Sequence, residues 1–285
     1  MANSLCRAAI NRRVSGNPSE WPLDWLRRVH VRTSFRRAVS WGCGLGAFER
    51  SARKLDLVER IDAFDISQAS IRDARQRAED DGLTGIVYGT GDFNDPQIAR
   101  EGYDVAFFHA SLHHVAALER MFRRLAIHLD HPSAIYVDEY VGPSRFHWTA
   151  EKLTTAQAML DRVPDNGKTA TLIPPPIEQT DPSEAYRSDE IPSFLRTFCD
   201  IVAWRPYGGQ IVDLVFPFLR PDWVHSQEGS TFVAAMLDAE DRELSENPEL
   251  THYLVAYGSL KAPWRLVTPL GRQAIAAVRR RLQRS

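Results

Sequence analysis

The sequence is poor in cysteine, has no long apolar run and carries no excess of either charge. Cys6, Cys43 and Cys199 are the only cysteines in 285 residues. They are too few and too scattered for a disulfide framework or a zinc site, so a reducing, cytoplasmic setting is expected. No stretch reaches the about 18 consecutive apolar residues of a membrane helix. The opening MANSLCRAAINRRVSGNPSEW also lacks the continuous apolar core of a signal peptide. The 35 Lys and Arg residues against 37 Asp and Glu leave a net charge of −2, which argues against nucleic acid as the main partner. Nor is there self-similarity at a period of roughly 20–50 residues, which excludes a solenoid or propeller.

What the sequence does have, over residues 38–141, is an alternation of short apolar runs with helical patterns. This is the signature of an α/β fold with a mostly parallel sheet. AVSW (38–41), RIDAFDI (60–66), GIVYGTGD (85–92), YDVAFFHAS (103–111) and SAIYVDEYV (133–141) read as five strands. Helices are expected over 48–57, from the cap Ser67 to Gly82, and over 115–129. Residues 144–198 break the rhythm with helices at 149–163 and 188–198 and a proline run at 174–176, and read as an insertion. A sixth strand at 200–207, a helix at 229–244 and a last strand at 250–261 would complete seven strands. The domain boundaries expected are a helical segment over 1–35, the α/β domain over 36–261 and a basic amphipathic helix over 262–285. That last helix is either a solvated terminus or a weak membrane-surface contact.

The first strand runs into Gly42, Gly44 and Gly46. A glycine-rich turn between a strand and a helix brings backbone N–H groups and a helix N-terminus close to a ligand, because no Cβ intervenes. Gly42-x-Gly44-x-x-Ala47, with Asp65 about 20 residues on, also satisfies the dinucleotide pattern. Spacing alone therefore leaves two cofactors open.

Five ordered segments resemble the class I S-adenosylmethionine-dependent methyltransferases: VSWGCGLG, IDAFDIS, GTGDF, YDVAFFHASLHHV and AIYVDEYVG. The resemblance implies a Rossmann-like seven-stranded methyltransferase sheet, mostly parallel with the last strand antiparallel, and a helical insertion between strands five and six. It also implies S-adenosyl-L-methionine as cofactor. Ser40, Gly42, Cys43, Gly44, Gly46, Ile66, Phe93 and His109 would border it, with Asp65 on the ribose and Asp92 on the adenine amino group. Cys43 is given no nucleophilic role. One position departs from the family: the acidic residue usual two places before the first glycine is Ser40 here. Asp62 or a residue of the N-terminal segment is expected to substitute.

Ligands of open α/β sheets sit beyond the carboxyl ends of the strands, which points to the loops after strands four and five. His113 and His114 are candidates for a general base, since imidazole titrates near neutrality. Capping or packing is the competing reading, and consecutive residues are expected to point apart. Glu139, Tyr140, Arg145 and Trp148 are expected to bind the acceptor, Glu139 by orienting it and the aromatic group as a wall or lid. No three ligands have compelling metal spacing, so no metal is expected. The function that follows is methyl transfer to oxygen, nitrogen or carbon of a small molecule, a saccharide, lipid-linked or secondary-metabolite acceptor being favoured. An NAD(P)-binding oxidoreductase and a non-catalytic S-adenosylmethionine-binding homologue are the alternatives.

Overall fold

The computed structural model describes residues 3–95, 102–129, 132–172 and 183–262. Helices α1 (Ser4–Ser15) and α2 (Pro22–Val29) precede β1 (Phe35–Trp41), α3 (Ala47–Lys54), β2 (Val58–Asp65), α4 (Gln68–Asp80), β3 (Ile86–Thr90) and β4 (Val105–His109). After these come α5 (Leu118–His128), β5 (Ala134–Tyr140), α6 (Ala150–Leu160), α7 (Ile191–Phe198), β6 (Cys199–Gly208), α8 (Val212–Val215), α9 (Pro221–Val224), α10 (Gln227–Glu246) and β7 (Tyr253–Leu260). Each strand expected from an apolar run is present, trimmed or extended by a few residues.

The sheet has seven strands in the order β3-β2-β1-β4-β5-β7-β6. β1 pairs in parallel with β2 on one side and β4 on the other, and β2 pairs in parallel with β3. β7 runs antiparallel: Leu260 N–H donates to Ser133 O at 2.8 Å at one end, and Val141 N–H donates to His252 O at 2.7 Å at the other. The order reverses at β1, and such a switch point opens a crevice at the carboxyl ends of the strands.

Local chemistry explains the element boundaries. The Ser67 hydroxyl accepts from Ser70 N–H at 3.2 Å to start α4, and Gly82, at φ +66°, turns the chain out of it. The helix expected over 48–57 stops at Lys54, because Asp56 takes a left-handed φ of 51°. Leu57 N–H then bonds back to Ala52 O at 2.9 Å, which turns Leu57 fully inward. α5 starts three residues later than expected. Ala116 N–H and Ala117 N–H are instead taken by the Asn94 side-chain oxygen, at 2.8 and 3.2 Å. The short α8 and α9 were not legible, since four residues carry no amphipathic period.

The chain divides into two units. The first comprises Thr33–Val137, Glu190–Ala203 and Ala256–Ser285. Its core is built from buried Val39, Leu57, Ile61, Val105, Phe107, Met121, Phe122 and Leu125. Phe122 of α5 stacks on Phe194 of α7 at a centroid distance of 5.6 Å.

The second unit comprises Met1–Arg32, Asp138–Asp189 and Trp204–Val255. Ala9, Ala156, Leu160, Leu214, Val215, Val233 and Met236 are among the residues of its core. Arg13 of α1 reaches α10, where its Nη1 lies 2.7 Å from Glu240 Oε2 and its Nε 2.6 Å from Asp241 Oδ1. The other Glu240 oxygen accepts from the N–H groups of Gly209, Ile211 and Val212 at 2.9, 3.1 and 3.0 Å, fixing the turn between β6 and α8.

No described helix is long and apolar enough to cross a membrane. The proline run at 174–176 and residues 263–285, which include nearly all of the expected basic helix, lie outside the described residues.

Candidate active site

In the first unit, β1 ends at Trp41 and the chain turns through Gly42, Cys43, Gly44, Leu45 and Gly46 into α3. Gly42 N–H and Cys43 N–H both donate to Phe64 O, at 2.8 and 3.0 Å, tying the turn to the end of β2. Gly42 has φ +71°, and a Cβ there would stand 2.5 Å from Ser111 Cβ, so only glycine lets this turn press on the chain that follows β4. Gly44 has φ +51° and open space where its Cβ would be. Its N–H donates to Asp65 Oδ2 at 2.8 Å, while Asp65 Oδ1 accepts from Ser67 N–H at 2.8 Å. One half-buried carboxylate thus holds the glycine turn and the start of α4 together, with lone pairs left for a further donor. Ile66, 65% exposed, stands beside it. Burial beneath the turn and the nearby Glu49 charge push the Cys43 thiol above its ordinary range.

Ser40 is buried, and its hydroxyl lies 2.5 Å from Glu49 Oε1. An acidic side chain from α3 therefore lies against Ser40 at the end of β1. Asp62, the expected substitute, is engaged elsewhere: its Oδ2 accepts from Arg37 Nε at 3.0 Å and from the Tyr103 hydroxyl at 2.8 Å. Burial drives the Glu49 carboxyl well above the usual range, with Ser40 opposing. Sequence reasoning passed over Glu49 because an acid in the first turn of a helix is ordinary dipole compensation. Its signal was an acidic residue on the inward face.

Asp92 is exposed, and its Oδ1 accepts from Asn94 N–H at 2.7 Å, the local turn of an Asx residue. Phe93 is half-buried and stacks on His114 at 6.5 Å. His109 ends β4 and stacks on Phe48 of α3 at 5.1 Å. His113 and His114 share a single 3-10 turn, Leu112–His114. Their rings lie 4.2 Å apart, so the tight turn brings together side chains expected to diverge. His113 is buried and His114 half-buried.

In the second unit, Tyr140 ends β5 and its ring meets those of Phe146, His252 and Tyr253, at 5.0, 5.8 and 5.5 Å. Phe146 meets Trp148 at 5.9 Å, and the Arg145 guanidinium lies 4.6 Å from the Tyr186 ring centre. Arg145 and Phe146 both have positive φ, at 56° and 55°, a strained pair of the kind that structures hold where a side chain must be aimed. Glu139 is buried. Sequence reasoning missed Asp213 and His252, whose Oδ2 and Nδ1 lie 3.5 Å apart. Burial raises the Asp213 carboxyl and also raises Tyr253, to which it bonds. Nothing in the local sequence of either residue marks that pairing.

Residues 39–135 match the model of the family described as a methyltransferase domain. No curated protein sequence matches the chain. Among solved structures, the chain is similar to the [4+2]-cyclase SpnF, with 15% identity, a TM-score of 0.50 and 91% of this chain and 93% of that one covered. It is also similar to a complex of the Haloferax volcanii Trm112 methyltransferase activator with a putative methyltransferase (14%, 0.50, 91% and 98%). A third is the Haemonchus contortus phosphoethanolamine N-methyltransferase 2 with S-adenosyl-L-methionine (13%, 0.50, 90% and 56%). At these identities the likeness is one of fold.

The glycine turn with its open approach, the Asp65 clasp and an unbonded Glu49 oxygen fit a nucleoside that carries a charged tail. Residues 39–135, which hold the glycine turn, Asp65 and Glu49, are thus the part of the chain that matches a methyltransferase domain.

Proposed function

We propose that the protein moves a methyl group from S-adenosylmethionine to an oxygen, nitrogen or carbon of a small molecule, with a saccharide, lipid-linked or secondary-metabolite acceptor favoured. The observation that carries this reading is the bond from Gly44 N–H to Asp65 Oδ2, in the segment that matches the methyltransferase domain. The bound cofactor supplies a sulfonium methyl, already activated toward in-line displacement. What this chain's residues supply is alignment and exclusion of water.

Asp65 takes the ribose hydroxyls, Ile66 and Phe93 flank the adenine, and Asp92 takes its amino group. Ser40, Gly42, Cys43, Gly44, Gly46 and His109 complete the cofactor set. For the acceptor, Glu139 orients a polar group, while Tyr140 and Trp148 give apolar walls and Arg145 a charge. The segment 144–198 serves as the acceptor cover. Where the acceptor must lose a proton, the His113–His114 pair takes it, and the more accessible His114 makes the contact.

The test is incubation with methyl-labelled cofactor and extracts separated into small-molecule, protein and nucleic-acid fractions. Label in the small-molecule fraction is expected, and label confined to a macromolecular fraction would contradict the reading. Once the acceptor is known, His114→Ala should lower kcat by about 10²–10⁴-fold and remove the acidic limb of its pH profile. Unchanged turnover in both His113→Ala and His114→Ala would place the base elsewhere.

A further inference from the structure

Glu49 is the third residue of α3, 1% exposed. Its Oε1 is engaged by Ser40, but its Oε2 is buried with no hydrogen-bond partner. A carboxylate oxygen withdrawn from water without a donor is costly, and an apolar side chain would fill this space without that cost. A bare acceptor held at such expense suits a donor that arrives with a ligand.

The surroundings say which part of the ligand this is. Ser40 lies near the end of β1, two residues before Gly42. His109 ends β4, and the placement of its imidazole and of the Arg50 guanidinium favours the ionised form of Glu49. The Cys43 thiol and the Tyr88 hydroxyl also feel the Glu49 charge. Strands β2, β1 and β4 are consecutive neighbours, so their carboxyl ends form a row: Asp65, then the glycine turn, then Ser40 and His109. A nucleoside whose ribose is held at Asp65 and whose chain crosses the glycine turn brings its far end to the β1–β4 side. In S-adenosylmethionine that end carries an α-ammonium, a cation with three donors.

We propose that Glu49, steadied by Ser40, is the residue that receives the α-ammonium of the cofactor, so that the acid for this contact comes from helix α3 and not from strand β1. The proposal rests on the cofactor assignment above. It makes Ser40 a positioning residue: its hydroxyl donates to Oε1 and leaves Oε2 for the ligand.

The experiment is calorimetry on the full chain with two probes, S-adenosylhomocysteine and its analogue in which hydrogen replaces the α-amino group. Wild type should prefer the amino-bearing probe by at least tenfold. Glu49→Gln should lose that preference, binding the two within about twofold of each other, because any general damage to the site weakens both probes alike and cancels in the comparison. Adding Ser40→Asp to Glu49→Gln returns a carboxylate to the β1 position and should restore the preference. If Glu49→Gln keeps the tenfold preference, or weakens both probes equally while the preference stands, the proposal is overturned. Should the single variant fail to fold, the double variant alone decides, since it must show the preference if a carboxylate here reads the ammonium. Wild type binding neither probe would refute the cofactor assignment itself, an outcome distinct from the other two.

Discussion

The Ser40 hydroxyl and the Glu49 carboxylate lie 2.5 Å apart inside the first unit, joining the end of β1 to the first turn of α3. This pair gives the glycine turn an acidic neighbour that the order of residues along the strand does not provide, and it has a consequence for stability. Burial raises the folded pKa of Glu49 above its ordinary carboxylate value. The folded state therefore holds the proton more tightly than the unfolded chain, and the stabilisation is complete below the ordinary carboxylate pKa. It is lost as pH climbs through the raised value.

Glu49→Gln removes that loss. The variant should melt above wild type at pH 8, and the gap should close as pH falls toward the ordinary carboxylate range. Each pKa unit of difference corresponds to about 1.4 kcal/mol, and about 1 kcal/mol moves the midpoint of a chain of this size by about 2–4 °C. Scanning calorimetry at both pH values checks this, and a gap independent of pH would contradict it. Such a variant would be more stable and bind the cofactor less well.

Asp65 is tested by ligand affinity. Replacing it with Ala removes charge-assisted bonds worth about 1.5–3 kcal/mol, along with its hold on Gly44 and Ser67. Affinity for S-adenosylhomocysteine should fall more than tenfold. A folded Asp65→Ala protein with wild-type affinity would refute its assignment to the ribose.

The Arg13–Glu240 pair separates buried from exposed charge. Both side chains are nearly inaccessible, at 7% and 1%, so Arg13→Ala takes the cation from a buried acidic side chain and should cost about 3–5 kcal/mol in denaturant unfolding. The Arg28–Glu20 pair, whose arginine is 60% exposed, is solvent-screened. Arg28→Ala should be indistinguishable from wild type. Equal effects of the two substitutions would contradict this account.

The strands and the cofactor turn were legible because their signals are local. AVSW, RIDAFDI and YDVAFFHAS carry apolar runs, Ser67 and Gly82 carry cap chemistry, and Gly42, Gly44 and Asp65 follow one another at a fixed spacing. Glu49 was not legible, because its importance comes from Ser40, nine residues back and on another element. The 3-10 turn that brings His113 against His114 depends on three residues with no period of their own. Asp213 and His252 come from two elements far apart in the chain, α8 and the residue before β7. Long-range pairing of this kind has no signature in a window of sequence.

The most direct measurement of the central claim is calorimetric titration of the full chain with S-adenosylhomocysteine and, separately, with NAD and NADP. The account predicts saturable one-to-one binding of S-adenosylhomocysteine and none of either dinucleotide. Tight binding of NAD or NADP with no heat from S-adenosylhomocysteine would contradict it.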